Sequence, residues 1–153
     1  MSQELSFNQP KFNFKIGSFY LVFEGSKTGH PGYLIWKNET KNLFLCIKYG
    51  TSKNKNNISL GFSIGCDVKQ SFVYKRPFLG KRKNIGKHEL TKISITTDQL
   101  KKILSIVDFY NPTFSTDINR KDRKFYFWAI KNPLYQGQLS YPLGTIDSNN
   151  IQK

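Results

Sequence analysis

Carboxylates are scarce in this 153-residue chain: 10 Asp and Glu stand against 24 Lys and Arg, a formal net charge of +14. Between Glu39 and Glu89 there is only Asp67, against eleven cations: Lys41, Lys48, Lys53, Lys55, Lys69, Lys75, Arg76, Lys81, Arg82, Lys83 and Lys87. A stretch so poor in counter-charge repels itself until a polyanion neutralises it. Nucleic acid is therefore the first partner implied, with an anionic membrane surface second. Cysteine is nearly absent as well. Cys46 and Cys66 have no Cys or His neighbours at metal-ligand spacing, which argues against zinc and predicts buried, reduced thiols. No apolar run approaches the ~20 residues of a spanning helix, and the N-terminus lacks a signal-peptide pattern, so a cytoplasmic protein with no membrane partner is expected. Alanine occurs once, at Ala129, beside 20 Lys and 13 Asn, the signature of AT-rich coding. Glutamate shares that bias yet occurs only four times, so the clustering of charge is assigned to function.

What is present suffices for one core, since 38% of residues are hydrophobic and 15% aromatic. Residues 1–15 read as a flexible leader. Residues 16–23, 31–36, 43–49, 58–64 and 71–74 carry strand patterns separated by polar or Gly-containing turns, and 93–96 reads as a brief further strand. Gly80 and Gly86 break up the basic segment between them. One helix is predicted from Thr96 or Thr97 through Val107: Leu100, Ile103, Leu104 and Val107 form a stripe, and Thr96 with Gln99 has capping-box spacing. Pro112 is placed just beyond its end. These elements predict a mainly β (α+β) fold, a small, curved, SH3-like antiparallel barrel with one helix towards its C-terminal side, spanning 16–111. Residues 112–153 form an extension with one possible strand at 125–130, then a tail.

The segment 71–88 interleaves cations with aromatics, the composition of a surface that holds unpaired nucleotides. Lys53, Lys55, Lys75, Lys81, Lys83 and Lys87 are candidates for phosphate contacts, and each contact adds salt dependence to binding. Tyr74 and Phe78 read either as stacking platforms or as core. His30 and His88 are the only histidines. Imidazole changes charge near neutral pH, so His30 suits a proton-transfer role, and His88 is a second candidate beside the basic segment.

Four blocks, in this order, resemble the MazF/PemK/Kid family of toxin endoribonucleases. Residues 17–22 are similar to the family's opening strand. Residues 30–38 are similar to its second strand, with His30 where the family carries an arginine before Pro31. Residues 47–52 are similar to its third strand, ending in a Thr-Ser pair at Thr51 and Ser52. Residues from 71 to the helix at Asp98 resemble its later strand, arginine-bearing stretch and helix. The resemblance implies a PemK-like barrel that cuts single-stranded RNA sequence-specifically, without metal or cofactor, through attack of a 2′-hydroxyl on the adjacent phosphate. His30, Thr51, Ser52, Arg76 and Arg82 are the implied catalytic candidates, either arginine replacing the one absent at position 30. It further implies a homodimer and an antitoxin, an acidic protein or an RNA. A non-catalytic RNA- or DNA-binding module and a basic structural or mobile-element protein are the alternatives.

Overall fold

The computed structural model describes residues 14–25, 29–64 and 71–132. The leader up to residue 13, Cys66 and the tail from residue 133 lie outside these. Among the described residues there are eight strands: β1 (Phe19–Val22), β2 (His30–Asn38), β3 (Leu43–Gly50), β4 (Asn57–Ser59), β5 (Phe72–Tyr74), β6 (Phe78–Lys81), β7 (Ile85–Glu89) and β8 (Thr113–Phe114). Two helices accompany them, α1 (Thr97–Ile106) and α2 (Arg120–Lys131). The sheet order is β4-β5-β3-β2-β1-β7, with β6 pairing with both β3 and β8. All pairings are antiparallel except β6 with β8.

The protein is mainly β, as expected, but the described sheet is curved rather than closed into a barrel. Its centre is β3, which pairs with β2 on one side and divides the other side between β5 and β6. Residues 43 to 47 of β3 are completely buried because both faces of the sheet are covered. Leu43, Leu45, Ile47 and Tyr49 point into the larger core with the helices, whereas Phe44 and Cys46 alternate into a smaller core with Phe14, Tyr20, Val22 and Phe78. Phe14 is 5% exposed, so the last residues assigned to the leader pack against the sheet.

The predicted capping box of α1 is present. Gln99 N donates to Thr96 Oγ1 at 3.1 Å and Thr96 N to Gln99 Oε1 at 2.9 Å. Ile103, Leu104 and Val107 are buried, and Leu100 packs partly buried against the same core. The helix stops at Ile106, five residues before Asn111, because Val107 adopts extended backbone angles.

Three expectations are corrected. The strand expected at 125–130 is helical, and the single helix is accordingly two. Asp122, Tyr126, Ala129 and Ile130 of α2 fall on one buried face, and Asn119 caps the helix, its Oδ1 accepting from Asp122 N at 2.8 Å. Cap and packing override the strand preference of Phe125, Tyr126, Phe127 and Trp128. Residues 93–96 form no strand. Gly80 and Gly86 do not interrupt the basic segment but lie within β6 and β7.

Gly80 is required there for space. A Cβ would meet Phe78 Cε2 at 2.7 Å and Phe44 Cζ at 2.8 Å, atoms of two rings packed edge to face at 5.8 Å. Gly80→Ala is expected to lower unfolding stability by about 1–3 kcal/mol through overpacking. A urea midpoint equal to that of the parent protein would contradict this.

Candidate functional site

β2 begins at His30, opposite Val22, and runs beside β3, where Gly32 pairs with Lys48. The C-terminal end of β3 pairs in turn with β5 through Tyr49 with Val73 and Gly50 with Phe72. This register brings the start of β2, the loop after β3 and the end of β5 together. A cavity of about 380 Å³ opens between them, lined by His30, Tyr49, Thr51, Ser52, Asn54, Ser71 and Tyr74 among others. The His30 and Tyr74 rings meet edge to face with centroids 6.0 Å apart.

The loop after β3 is held by buried Asn57. Its amide donates to Ser52 O at 2.9 Å, and its Oδ1 accepts from Asn54 N at 3.0 Å. Asn54 Nδ2 then donates to the Tyr74 hydroxyl oxygen at 3.1 Å, tying the loop to β5. Lys53 folds back on this loop and donates to the carbonyls of Asn54 and Asn57 at 2.7 and 2.8 Å.

Tyr74 is shared with a second cavity of about 480 Å³, whose lining includes Glu24, Lys48, Lys55, Asn56, Lys75, Arg76 and Asp108. Lys48 is 8% exposed; its ammonium binds the Glu24 carboxylate and lies 4.8 Å over the Tyr74 ring and 5.8 Å over Phe78. A buried ammonium requires such a partner, because desolvation without one costs several kcal/mol, on the order of the whole stability margin. Lys55 and Lys75 are exposed on the same cavity.

His30, Thr51, Ser52 and Tyr74 are thus brought to one cavity, and Lys55, Lys75 and Arg76 to its neighbour. Arg76 is engaged there, donating from Nε to Asn111 O at 2.9 Å and from Nη2 to Pro112 O at 3.0 Å. The remaining candidates lie elsewhere. Phe78 is fully buried against Phe44 and is core, so it offers no ring face for stacking. Arg82 lines neither cavity and lies 5.0 Å over the Phe14 ring. Lys81 pairs with Asp122 at 3.2 Å and Lys83 with Asp117 at 2.6 Å, both ion pairs with the region around α2. Lys87 and His88 are exposed on β7, and β1 separates that strand from β2 and His30.

Sequence reasoning missed Glu24, Lys48, Tyr49, Asn54 and Ser71. The signal for Lys48 was available: a lysine inside an otherwise apolar strand must either face solvent or find a carboxylate. Two further groups near the site are perturbed. Burial, helped by nearby Tyr33 and Cys46, pushes the Tyr49 hydroxyl well above its ordinary value near 10, and burial alone pushes up the Cys46 thiol. Among the described residues no three His, Cys, Asp or Glu side chains are grouped to hold a metal ion, and no helix is long and apolar enough to cross a membrane. Comparison with models of known protein families and with curated proteins finds no match to this chain.

Proposed function

We propose that this chain is an endoribonuclease of the toxin type, acting in the cytoplasm on single-stranded RNA without a metal or cofactor. One observation carries the proposal: His30, Thr51, Ser52 and Tyr74 line a single cavity that shares Tyr74 with a second one bearing Lys55 and Lys75. Transphosphorylation of RNA needs a base, an acid and donors to the phosphate, within a few ångströms of one another. His30 takes the proton of the 2′-hydroxyl as its oxygen bonds to phosphorus. The bond from phosphorus to the 5′-oxygen breaks, and the leaving oxygen takes the Tyr74 proton. The Tyr74 oxygen already accepts from Asn54, which leaves its own proton to give, and the Lys48 ammonium over the ring stabilises the phenolate formed. Thr51 and Ser52 donate to the non-bridging oxygens. The products are a 2′,3′-cyclic phosphate and a 5′-hydroxyl, and the proton held by His30 returns to Tyr74 through solvent.

Lys55 and Lys75 hold the flanking phosphates, and the partners that follow are an acidic antitoxin protein or RNA antitoxin and a second copy of the chain. Binding without cleavage is the second reading, favoured by the engagement of Arg76 with two carbonyls and the remoteness of Arg82. End-labelled single-stranded RNA incubated with the protein in EDTA separates the two. Fragments ending in a 2′,3′-cyclic phosphate are expected; intact RNA that is nevertheless bound would leave only the binding module. In the same titrations Lys55→Ala is expected to flatten the slope of log affinity against log salt by about 0.7, one phosphate contact on a single strand. An unchanged slope would remove Lys55 from the interface.

A further inference from the structure

We infer that the outer face of α2 is a second contact surface for single-stranded RNA, on which Trp128 stacks against a base and Lys121, Lys124 and Lys131 hold the flanking phosphates. This rests on the RNA reading above and adds a site outside the two cavities. Lys121, Lys124, Trp128 and Lys131 fall at i, i+3, i+7 and i+10, one stripe along the helix, and all four are exposed. Exposed Arg120 and Arg123 stand beside the stripe. Among the described residues none of these five cations enters an ion pair, and the helix's one carboxylate, Asp122, is buried against Lys81. Arg120 lies three and four positions from Arg123 and Lys124, and Lys121 three from Lys124, so like charges oppose one another in the free helix and are relieved by a bound polyanion. α1 has no such face: exposed Asp98 accompanies its lysines, and Lys102 donates to Leu60 O at 2.8 Å.

Trp128 is 47% exposed, and only Leu21 shares that condition among the large hydrophobic side chains described. Its ring lies 5.9 Å from that of half-buried Phe125, and Lys41 Nζ lies 5.1 Å from the Phe125 centroid. Aromatic rings set among cations are what unpaired bases stack on. A membrane fits this face less well. An interfacial helix lays its apolar side into the lipid, whereas Tyr126, Ala129 and Ile130 of α2 are buried in the core, and Trp128 alone of its large apolar side chains is exposed. The surface is also distinct from the cavity beside His30. Phe125 and Tyr126 pack on Trp36, which stands roughly 20 Å from His30 along β2. An RNA that touches both must be longer than one that fills the cavity alone.

Trp36 and Trp128 are the only tryptophans, and Trp36 is fully buried, so tryptophan emission reports on α2 directly. The test titrates the protein with a long 2′-O-methyl oligo(U), which cannot be cut by 2′-hydroxyl attack. Quenching of the parent's emission is expected. Trp128→Leu is expected to abolish the quenching and to weaken binding about tenfold, the loss of one stacked base. Lys121→Ala combined with Lys124→Ala is expected to flatten the slope of log affinity against log salt by about 1.4, two phosphate contacts on a single strand. The thermal midpoint of that lysine variant should be no lower than the parent's, because like charges have been removed. Binding without quenching, quenching that survives Trp128→Leu, or an unchanged salt slope in the lysine variant overturns the α2 surface while leaving RNA binding at the cavities. A blue shift of emission on phosphatidylglycerol vesicles, with no response to the RNA, overturns it in favour of a membrane face. Failure to bind RNA at all overturns both this inference and the RNA reading beneath it.

Discussion

His30→Ala is expected to reduce RNA cleavage by a factor of about 10²–10⁴ while changing RNA affinity only slightly. The loss corresponds to about 3–5 kcal/mol of transition-state stabilisation, the usual contribution of a positioned proton-transfer group. The separation of rate from affinity follows from the geometry. His30 stands at the wall of the Tyr74 cavity, whereas the exposed ammonium groups of Lys55 and Lys75 belong to the adjoining one. Removing the imidazole leaves those cations in place and leaves the backbone pairing of His30 with Val22 unaltered. Single-turnover rates and anisotropy titrations on the same preparation measure both quantities. Cleavage within threefold of the parent would exclude His30 as the base. Equal losses of rate and affinity would make it a binding group instead.

Tyr126→Ala is expected to destabilise the fold by about 3–5 kcal/mol, a large share of a domain's total stability. Tyr126 is fully buried, packs edge to face on Trp36 at 5.6 Å, and donates to Phe109 O at 2.8 Å. These contacts join α2 to a strand at the sheet centre and to the segment after α1, so the cavity left by alanine lies where three parts of the core meet. Tyr126→Phe keeps the ring and loses only the hydrogen bond, at about 1 kcal/mol. Chemical denaturation of the two variants separates packing from hydrogen bonding. A cost below about 1 kcal/mol for the alanine variant would mean that α2 does not help hold the sheet.

The elements that could be read from sequence were those whose pattern and environment agree. α1 declares itself because its stripe, its Thr96 cap and its polar face all indicate a helix. Each of β1, β2 and β3 is an aromatic and aliphatic run bounded by glycine or polar turns. α2 was hidden because Phe125 to Trp128 form an aromatic run with strand preference. The opposing signals, Asn119 with Asp122 and the helical spacing of Tyr126, Ala129 and Ile130, become decisive only once Trp36 and Phe109 are there to pack against. The candidate site divides in the same way. His30, Thr51 and Ser52 were found through block order and Tyr74 through the interleaving of aromatics with cations, and the strand register brings them together. Glu24 and Lys48 are 24 positions apart and meet only across the folded sheet, so no local pattern pairs them. Arg76 and Arg82 were selected for their guanidinium chemistry, and nothing in the sequence indicated that carbonyls of the Asn111–Pro112 turn and the Phe14 ring would occupy them.

The outer edge of β7 has a consequence for how the protein behaves at high concentration. β7 ends the sheet order, and among the described residues β1 is its only strand partner. Such an edge leaves backbone donors and acceptors open to another chain, the usual start of strand-by-strand aggregation. Here the edge carries exposed Lys87, His88 and Glu89, and Lys15 lies 3.8 Å from Glu89. A second β7 laid antiparallel in symmetric register against the first would set Lys87 opposite its own copy, bringing two like charges together. Lys87 and His88 line neither of the two cavities of the candidate site, and charge on this edge opposes unwanted growth of the sheet.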